Sequence, residues 1–180
     1  MKEYVTDALV LDTEDIGELD KIIYFYTSSL GKISARAKSI RKITSKLAGQ
    51  LEPLSFVKIR LVEKNGVQVT DAILLRPIAM SSTAVALAQF IKVMTFEFQP
   101  DKKLWLLIKK SFEDIKSLTV KDSEKDFFHK PFLEVLGFAP EFASCHLCED
   151  KKVSRFSPAE QLFFCNRCAS KIPKNELVLI

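Results

Sequence analysis

Four cysteines arranged as two closely spaced pairs constrain the fold of this chain more than any other feature. Cys145 and Cys148 form one C-x2-C pair, Cys165 and Cys168 form the second, and sixteen residues separate the pairs. Two such turns supply the four thiolates that Zn²⁺ accepts in a tetrahedron, at Zn–S distances of roughly 2.3 Å. The spacing predicts one zinc ion per chain. Its role is structural, because four sulfur ligands leave no open position for a catalytic water.

Two other uses of the cysteines stay open at this point: a redox C-x-x-C motif and a pair of disulfides. A redox motif usually occurs once, at a helix N-terminus in a βαβ unit, and that context is absent from this sequence. Disulfides are typical of secreted chains, but residues 1–7 carry charges and lack the apolar region of a signal peptide. We therefore expect a mature N-terminus at Met1 and a cytoplasmic protein. His146 is interpreted as an exposed spacer and His129 as a helix-surface residue.

The N-terminal part of the chain has the alternating apolar pattern of β-strands. Strands are predicted near residues 5–12, 20–28, 32–39, 54–63 and 67–75. Asn65-Gly66 favours a type I′ hairpin turn between the last two strands, in which both positions need positive φ. Residues 40–53 are too many for a hairpin, and residues 44–48 could form a short helical turn. Five strands with a longer third connection match the Greek-key OB barrel, and an SH3-like barrel is the alternative.

After Pro77 the apolar spacing becomes helical. A first helix is predicted over residues 81–98, with Ser81, Ser82 or Thr83 as its N-cap. A second helix follows Pro100 and carries one apolar stripe, formed by Leu104, Leu107, Ile108, Phe112, Ile115 and Leu118. A third helix is predicted to start after Asp122, to carry Phe127, Phe128, Phe132, Leu133 and Leu136, and to end near Gly137. Pro131 either kinks this third helix or begins a fresh first turn.

These patterns predict an α+β protein with two domains. Residues 1–78 are expected to form a five-stranded OB-fold β-barrel, and residues 79–180 a helical domain with a four-cysteine zinc finger at about residues 139–170. The longest uncharged stretch, residues 77–91, is shorter than the roughly 20 residues that span a bilayer. We expect no membrane span.

Positive charge is concentrated in one stretch of the barrel sequence. The formal net charge is +4, but residues 31–51 contain six basic residues and no acidic one. The six are Lys32, Arg36, Lys38, Arg41, Lys42 and Lys46. Because the remaining residues are slightly acidic in sum, the positive potential is local.

Two strands repeat the same alternation of cations with apolar residues. Lys32, Arg36 and Lys38 share one strand face, opposite Ile33, Ala35 and Ala37. Phe56, Lys58 and Arg60 alternate similarly with Val57, Ile59 and Leu61, and would add an aromatic ring and two cations if the two strands are neighbours. Such a strip fits a groove that follows phosphates and stacks bases. The alternative is a solvated face whose lysines keep an edge strand soluble.

The chain resembles the bacterial recombination-repair family RecO in four stretches that occur in the family's order. They are DIGELDK at 15–21, LGKISARAK at 30–38, LAGQLEPL at 47–54 and FLEVLGFAP at 132–140, followed by both cysteine pairs. The resemblance implies an OB domain, a helical domain and a zinc finger. It also implies DNA contacts at the six basic residues of the segment 31–51.

The family's activity is then an expectation for this chain. The resemblance implies binding of single- and double-stranded DNA, annealing of complementary strands, and help in RecA loading together with RecR. Single-strand-binding protein is a further partner in the family, and it is carried over here without contact residues because only twelve residues follow Cys168.

Catalysis is not expected, because the sequence has neither a phosphate-binding P-loop motif nor a cysteine outside the two pairs. Five acidic residues near the first turn, Asp12, Glu14, Asp15, Glu18 and Asp20, are interpreted as a solvated loop. The alternative function is an OB and zinc-ribbon module that binds RNA or works in transcription.

Overall fold

The computed structural model describes residues 1–117 and 129–180, which divide into two compact units, Met1–Trp105 and Leu106–Ile180. Five strands followed by helices and a small second sheet confirm the predicted α+β class. The domain boundary at residue 78 stays a prediction. Among the described residues, no helix combines the length and the apolar character needed to cross a bilayer.

The first unit is built on a closed barrel of five strands. They are β1 (Lys2–Ile16), β2 (Asp20–Thr27), β3 (Gly31–Ala37), β4 (Ser55–Glu63) and β5 (Val67–Pro77), in the order β1-β2-β3-β5-β4. All five predicted strands are present, and their order is that of an OB barrel. The predicted alternation is confirmed, since Ile33, Ala35, Ala37, Val57 and Ile59 are all buried in the core.

The contact between β3 and β5 is short, and a later segment covers the rest of the β3 edge. The two strands pair in parallel only at Arg36 and Gln68. Toward the start of β3, Glu97 forms a parallel bridge with Lys32, and the Phe98 N–H donates to the Lys32 carbonyl at 2.9 Å. This close approach requires Gly31, because a Cβ there would lie 2.3 Å from the Gln99 carbonyl oxygen.

Two loop predictions for the barrel are wrong. Glu63 pairs with Val67, so three residues connect β4 and β5, and only Gly66 in this loop has a positive φ, of 102°. This fits a three-residue hairpin loop whose last position is left-handed, rather than a type I′ turn. Residues 44–48 form no helix but belong to a series of turns, closed by backbone hydrogen bonds such as Gln50 N–H to Leu47 O at 3.0 Å.

Among the described residues, three α-helices lie between the barrel and the first cysteine pair: α1 (Ser82–Met94), α2 (Lys102–Ser117) and α3 (His129–Val135). Ser81 caps α1 as predicted, accepting from the Ala84 N–H at 3.1 Å, and α1 ends four residues earlier than expected. Asp101 caps α2 in the same way. Leu104, Ile108 and Phe112 of the predicted stripe are buried.

Only part of the predicted third helix falls within the described residues. Its expected start after Asp122, together with Phe127 and Phe128, lies outside the described residues, as does Leu118 of the second helix. Pro131 lies within the described part of α3, and Gly137 follows the helix with φ 87°. His129 is buried, so its assignment to the helix surface is wrong.

The C-terminal segment, residues 145–180, is called the finger here and contains both cysteine pairs. Its strands β6 (Val153–Ser157), β7 (Leu162–Cys165) and β8 (Val178–Leu179) form a sheet in the order β7-β6-β8. The short helix α4 (Asn166–Ala169) follows β7 directly. Phe156 is fully buried in this sheet and packs against the rings of Phe138 and Phe163.

Candidate metal centre and nucleic-acid interface

The finger brings the four cysteines together. Cys145 and Cys148 lie in the turn before β6, Cys165 ends β7, and Cys168 lies in α4. Their sulfur atoms all lie within 4.8 Å of one another. The Cys148 sulfur is 3.7 Å from that of Cys165 and 3.5 Å from that of Cys168. These separations are close to the edge of about 3.8 Å that a tetrahedron with 2.3 Å metal–sulfur bonds requires, and far longer than a disulfide bond.

Backbone hydrogen bonds hold the first cysteine pair against β7. The His146 N–H donates to the Phe163 carbonyl at 2.9 Å, and the Cys145 N–H donates to the Asp150 carbonyl at 2.8 Å. Glu149 adopts a left-handed conformation, with φ 60°, and closes the turn onto the Cys145 carbonyl. His146 is exposed, as predicted, and its ring meets the edge of Phe164.

The electrostatics of the cluster favour a bound cation. Burial raises the pKa of the Cys145 thiol, but N–H groups of Cys165, Leu147 and Cys148 donate to its sulfur and lower the pKa to about 6. The hydrogen bond with Cys148, together with burial, raises the pKa of the Cys168 thiol to about 12. Ionisation of the Cys145 thiol therefore makes it harder for the neighbouring Cys168 thiol to lose its proton. Four thiolates at these distances need a positive ion among them, so the donor set could hold a soft divalent metal.

The cations predicted on β3 are mostly engaged within the protein. The Lys32 ammonium is half-buried, donates to the Lys92 carbonyl at 2.8 Å, and has its pKa lowered by that burial. Arg36 forms an ion pair with Asp20, with Nη2 2.6 Å from Oδ2. Asp20 also accepts from the Ser39 N–H, and both contacts lower the pKa of its carboxyl. Lys38 is exposed and forms no ion pair in the described part of the chain.

The turn segment after β3 carries the remaining predicted cations of this stretch. Arg41 is exposed and lies 3.4 Å from a carboxylate oxygen of Asp15, which Lys21 also approaches at 3.7 Å. Lys42 and Lys46 are exposed and, among residues 1–117 and 129–180, form no ion pair. We call Lys38, Arg41, Lys42 and Lys46 the basic loop. The acidic residues that sequence reasoning placed in a solvated loop therefore neutralise part of the neighbouring positive charge.

The β4 residues do not extend this surface, because β5 lies between β3 and β4. Lys58 and Arg60 are exposed, but Lys58 lies 3.8 Å from a carboxylate oxygen of Asp7, and Arg60 is paired in register with Asp71. The prediction that Phe56 is an exposed stacking ring is wrong.

Phe56 is only 7% exposed because Trp105 and Arg76 cover it. The Trp105 ring lies 6.0 Å from that of Phe56 in an edge-to-face arrangement, and Arg76 lies 4.8 Å from the Phe56 ring centre. The outer side of β4 at this position is therefore a packed interface rather than a binding surface.

Sequence reasoning missed a polar network that fixes α1 on the barrel. The Lys92 ammonium lies 2.7 Å from an Asp12 carboxylate oxygen and 3.9 Å from the centre of the Tyr24 ring. Gln89 donates to the same Asp12 oxygen at 3.3 Å, and the Tyr24 hydroxyl donates to Glu14 at 3.0 Å. This network covers part of the outer face of β1 and β2. Lys92 had no distinguishing local pattern, since its partners are about 70 to 80 residues away in sequence.

An open groove lies beside the basic loop. Its volume is about 280 Å³, and its lining residues are Lys21, Ile40, Arg41, Lys42, Ile43, Ala48, Leu51 and Glu52. Three cations and one carboxylate give the groove a positive excess. A shallow positive groove with exposed lysines can hold a strand of phosphates by charge without a fixed register.

Comparison with known proteins covers both units of the chain. Residues 1–78 match the family model described as Recombination protein O N terminal, and residues 76–178 match the one described as Recombination protein O C terminal. A DNA repair protein RecO of Bacillus velezensis is 31% identical over 176 residues, covering 93% of this chain and 69% of the relative. One of Dehalococcoides mccartyi is 27% identical over 177 residues, covering 92% of this chain and 70% of the relative.

Proposed function

Because this chain belongs to the recombination protein O (RecO) family, we propose that it is a non-catalytic DNA-binding protein of recombinational repair. It binds single- and double-stranded DNA, anneals complementary strands, and assists RecA loading with RecR. Single-strand-binding protein is a further partner, and the compartment is the cytoplasm. The relatives are named DNA repair proteins, which supports the pathway.

The DNA contact that we propose is the basic loop on the barrel. The proposal is carried by Lys42 and Lys46, which are exposed and, in the described ranges, form no ion pair; Lys38 is also exposed, and its charge acts on Asp20 without forming an ion pair. Ammonium groups without an internal partner are the ones that can replace the counterions of phosphates, and release of those counterions drives binding. Arg41 shares its charge with Asp15 and contributes less.

This surface suits annealing because it neutralises phosphates without reading bases. Two complementary strands repel each other through their backbones, and lysines on a mobile stem lower that repulsion while leaving the base edges free to pair. We therefore propose association, not catalysis, as the mechanism.

We propose Zn²⁺ as the metal of the four-cysteine cluster. Four thiolates at tetrahedral spacing are typical of structural zinc, and the bound ion would supply the positive charge that stabilises all four sulfurs in ionised form. Elemental analysis of protein purified without added metal is expected to give about one zinc per chain. Two disulfides by mass and no metal would contradict this assignment.

A pair of matched double variants tests the DNA site. Lys42→Gln with Lys46→Gln removes two cations of the basic loop, and Lys58→Gln with Arg60→Gln removes two exposed cations of β4. The loop variant is expected to bind single-stranded DNA roughly 20-fold more weakly near 0.1 M salt, because two phosphate contacts are lost. The β4 variant is expected to bind within about two-fold of the wild type.

Annealing of complementary DNA strands should fall in parallel in the loop variant. Equal loss in both variants would move the site away from the basic loop. Tight RNA preference without any annealing of DNA would contradict the repair assignment and favour the RNA-binding or transcription module.

A further inference from the structure

Ile43 lies among the cations of the basic loop, and its apolar side chain is fully exposed to solvent. Its exposure is 104% of the reference value. Other large apolar residues of the segment between β3 and β4 pack inward: Ile40 is 4% exposed, Leu51 is 2% exposed, and Leu47 is half-buried against the barrel core. Side chains of this segment can therefore reach the barrel core, whereas the Ile43 side chain stays in solvent.

The neighbours of Ile43 define which kind of ligand fits it. Lys42 precedes it, Arg41 and Lys46 lie within three residues, and Ile43 lines the 280 Å³ groove beside the loop. The exposed apolar residues on the other face of the barrel differ. Ile73 is 58% exposed and pairs in register with Lys58, which lies close to Asp7, so that face carries both signs of charge.

We propose that Ile43 inserts between neighbouring bases of a bound DNA strand while the lysines beside it hold the phosphates. This inference rests on the proposed DNA binding by the basic loop and adds a base contact to it. An apolar side chain that enters a base step gains contact with two base faces, and every base has such a face, so the contact does not depend on sequence. Insertion costs least where bases are already unstacked, so single strands should be favoured over regular duplex.

The groove supports a polymer rather than a small molecule as the occupant. Its volume lies just below the roughly 300–1,000 Å³ of sites that enclose small ligands, and it is open to solvent. An apolar tip between cations also fits a ligand in which apolar faces alternate with negative charges. A nucleic-acid strand has this repeat, whereas an acidic protein segment offers the charge without the planar faces.

A tryptophan placed at position 43 reports the base contact directly. Ile43→Trp is compared with Ile73→Trp on the other face, and the single native tryptophan, Trp105, is common to both. Single-stranded oligothymidylate is expected to quench the added fluorescence of Ile43→Trp and to leave Ile73→Trp unchanged. Polyglutamate of equal charge is expected to quench neither. Equal quenching of Ile43→Trp by polyglutamate would overturn the base contact and favour an acidic protein partner.

A strand without bases separates this inference from the proposed function. Wild type is expected to bind a normal oligonucleotide about 3- to 10-fold more tightly than an abasic strand of the same length, and Ile43→Ala should lose that preference. The salt dependence of Ile43→Ala should stay that of wild type, because its phosphate contacts remain.

Equal affinity of the wild type for the normal and the abasic strand would overturn the proposed insertion of Ile43 between bases. If Lys42→Gln with Lys46→Gln still weakens binding in that case, the proposed function stands without it. If neither change has an effect, the basic loop is not the DNA site. Ile43 is fully exposed, so its variants should keep the wild-type melting temperature, which a thermal scan verifies.

Discussion

The barrel buries fourteen residues in one apolar core, whereas the corresponding cluster in the finger has five members, three of which are cysteines. The first region can be stabilised by the hydrophobic effect alone, because its strands close on themselves around that core. The second is too small for this and is expected to depend on the metal ion that we propose for its cysteines. The two regions should therefore respond to different perturbations.

Removal of the metal is the largest expected effect and should affect only the finger. Structural zinc contributes roughly 10–16 kcal/mol of apparent binding free energy in small domains. Chelation, or Cys165→Ser, is expected to abolish protection from hydrogen exchange in β6 and β7, while the barrel strands keep theirs. Loss of protection in both regions at once would show that the barrel also needs the ion.

The converse change is Gly31→Ala, which should destabilise the barrel. The new Cβ would meet the Gln99 carbonyl at 2.3 Å, and the φ of 72° disfavours any L side chain. We expect a loss of about 3 kcal/mol or more in the free energy of unfolding of the barrel, measured by denaturant titration. Gly17→Ala is the control, since it has φ 59° but no atom within 4 Å, and should cost about 1 kcal/mol.

Asp12 gives a smaller, pH-dependent test of how α1 is fixed on the barrel. Partial burial raises its pKa, but hydrogen bonds from Lys92, Thr13 and Gln89 outweigh this and hold the pKa below the usual 3.8. The ionised form is therefore the stabilising one. Its contribution is complete above pH 3.8 and is lost as the pH falls through the lowered value.

Asp12→Asn is expected to cost about 0.5 kcal/mol at neutral pH, since the pair is only partly buried and solvent screens it, and less below pH 3.8. Urea titrations at both pH values measure the difference. A cost that stays constant with pH would indicate lost packing rather than a lost charge interaction.

The smallest effect is expected where the structure already balances the charge. Replacing Arg36 by Gln together with Asp20 by Asn leaves the net charge unchanged, and single-stranded DNA affinity should change less than about two-fold. Lys38→Gln, which removes an exposed cation that forms no ion pair in the described residues, should weaken binding roughly five-fold near 0.1 M salt. Equal effects would mean that Arg36 leaves Asp20 to contact phosphate.

Local patterns predicted the strands and the clustering of the four cysteines, but not which surfaces meet. Alternation identified β3 and β4 because the inward side of each strand is apolar, and the two-residue spacing identified the cysteine cluster. Which strands are neighbours in a barrel depends on pairing between residues far apart in sequence. The position of β5 between β3 and β4 could therefore not be predicted from local patterns. The burial of Phe56 depends on Trp105, almost fifty residues away in sequence.

The charge on the barrel was misjudged for the same reason. Asp15 and Asp20 precede the cations in sequence, yet the pairing of β1, β2 and β3 brings them beside Arg41 and Arg36. Sequence reasoning counted the cations in one stretch and the carboxylates in another. Only the fold shows which lysines remain for a ligand.

The central claim is that the lysines of the basic loop contact DNA phosphates, and the salt dependence of binding tests it most directly. The slope of log affinity for single-stranded DNA against log salt concentration is measured for the wild type, the loop variant and the β4 variant. We expect the slope of Lys42→Gln with Lys46→Gln to be shallower by about 1.4, and that of Lys58→Gln with Arg60→Gln to equal the wild type. An unchanged slope in the loop variant would contradict the claim.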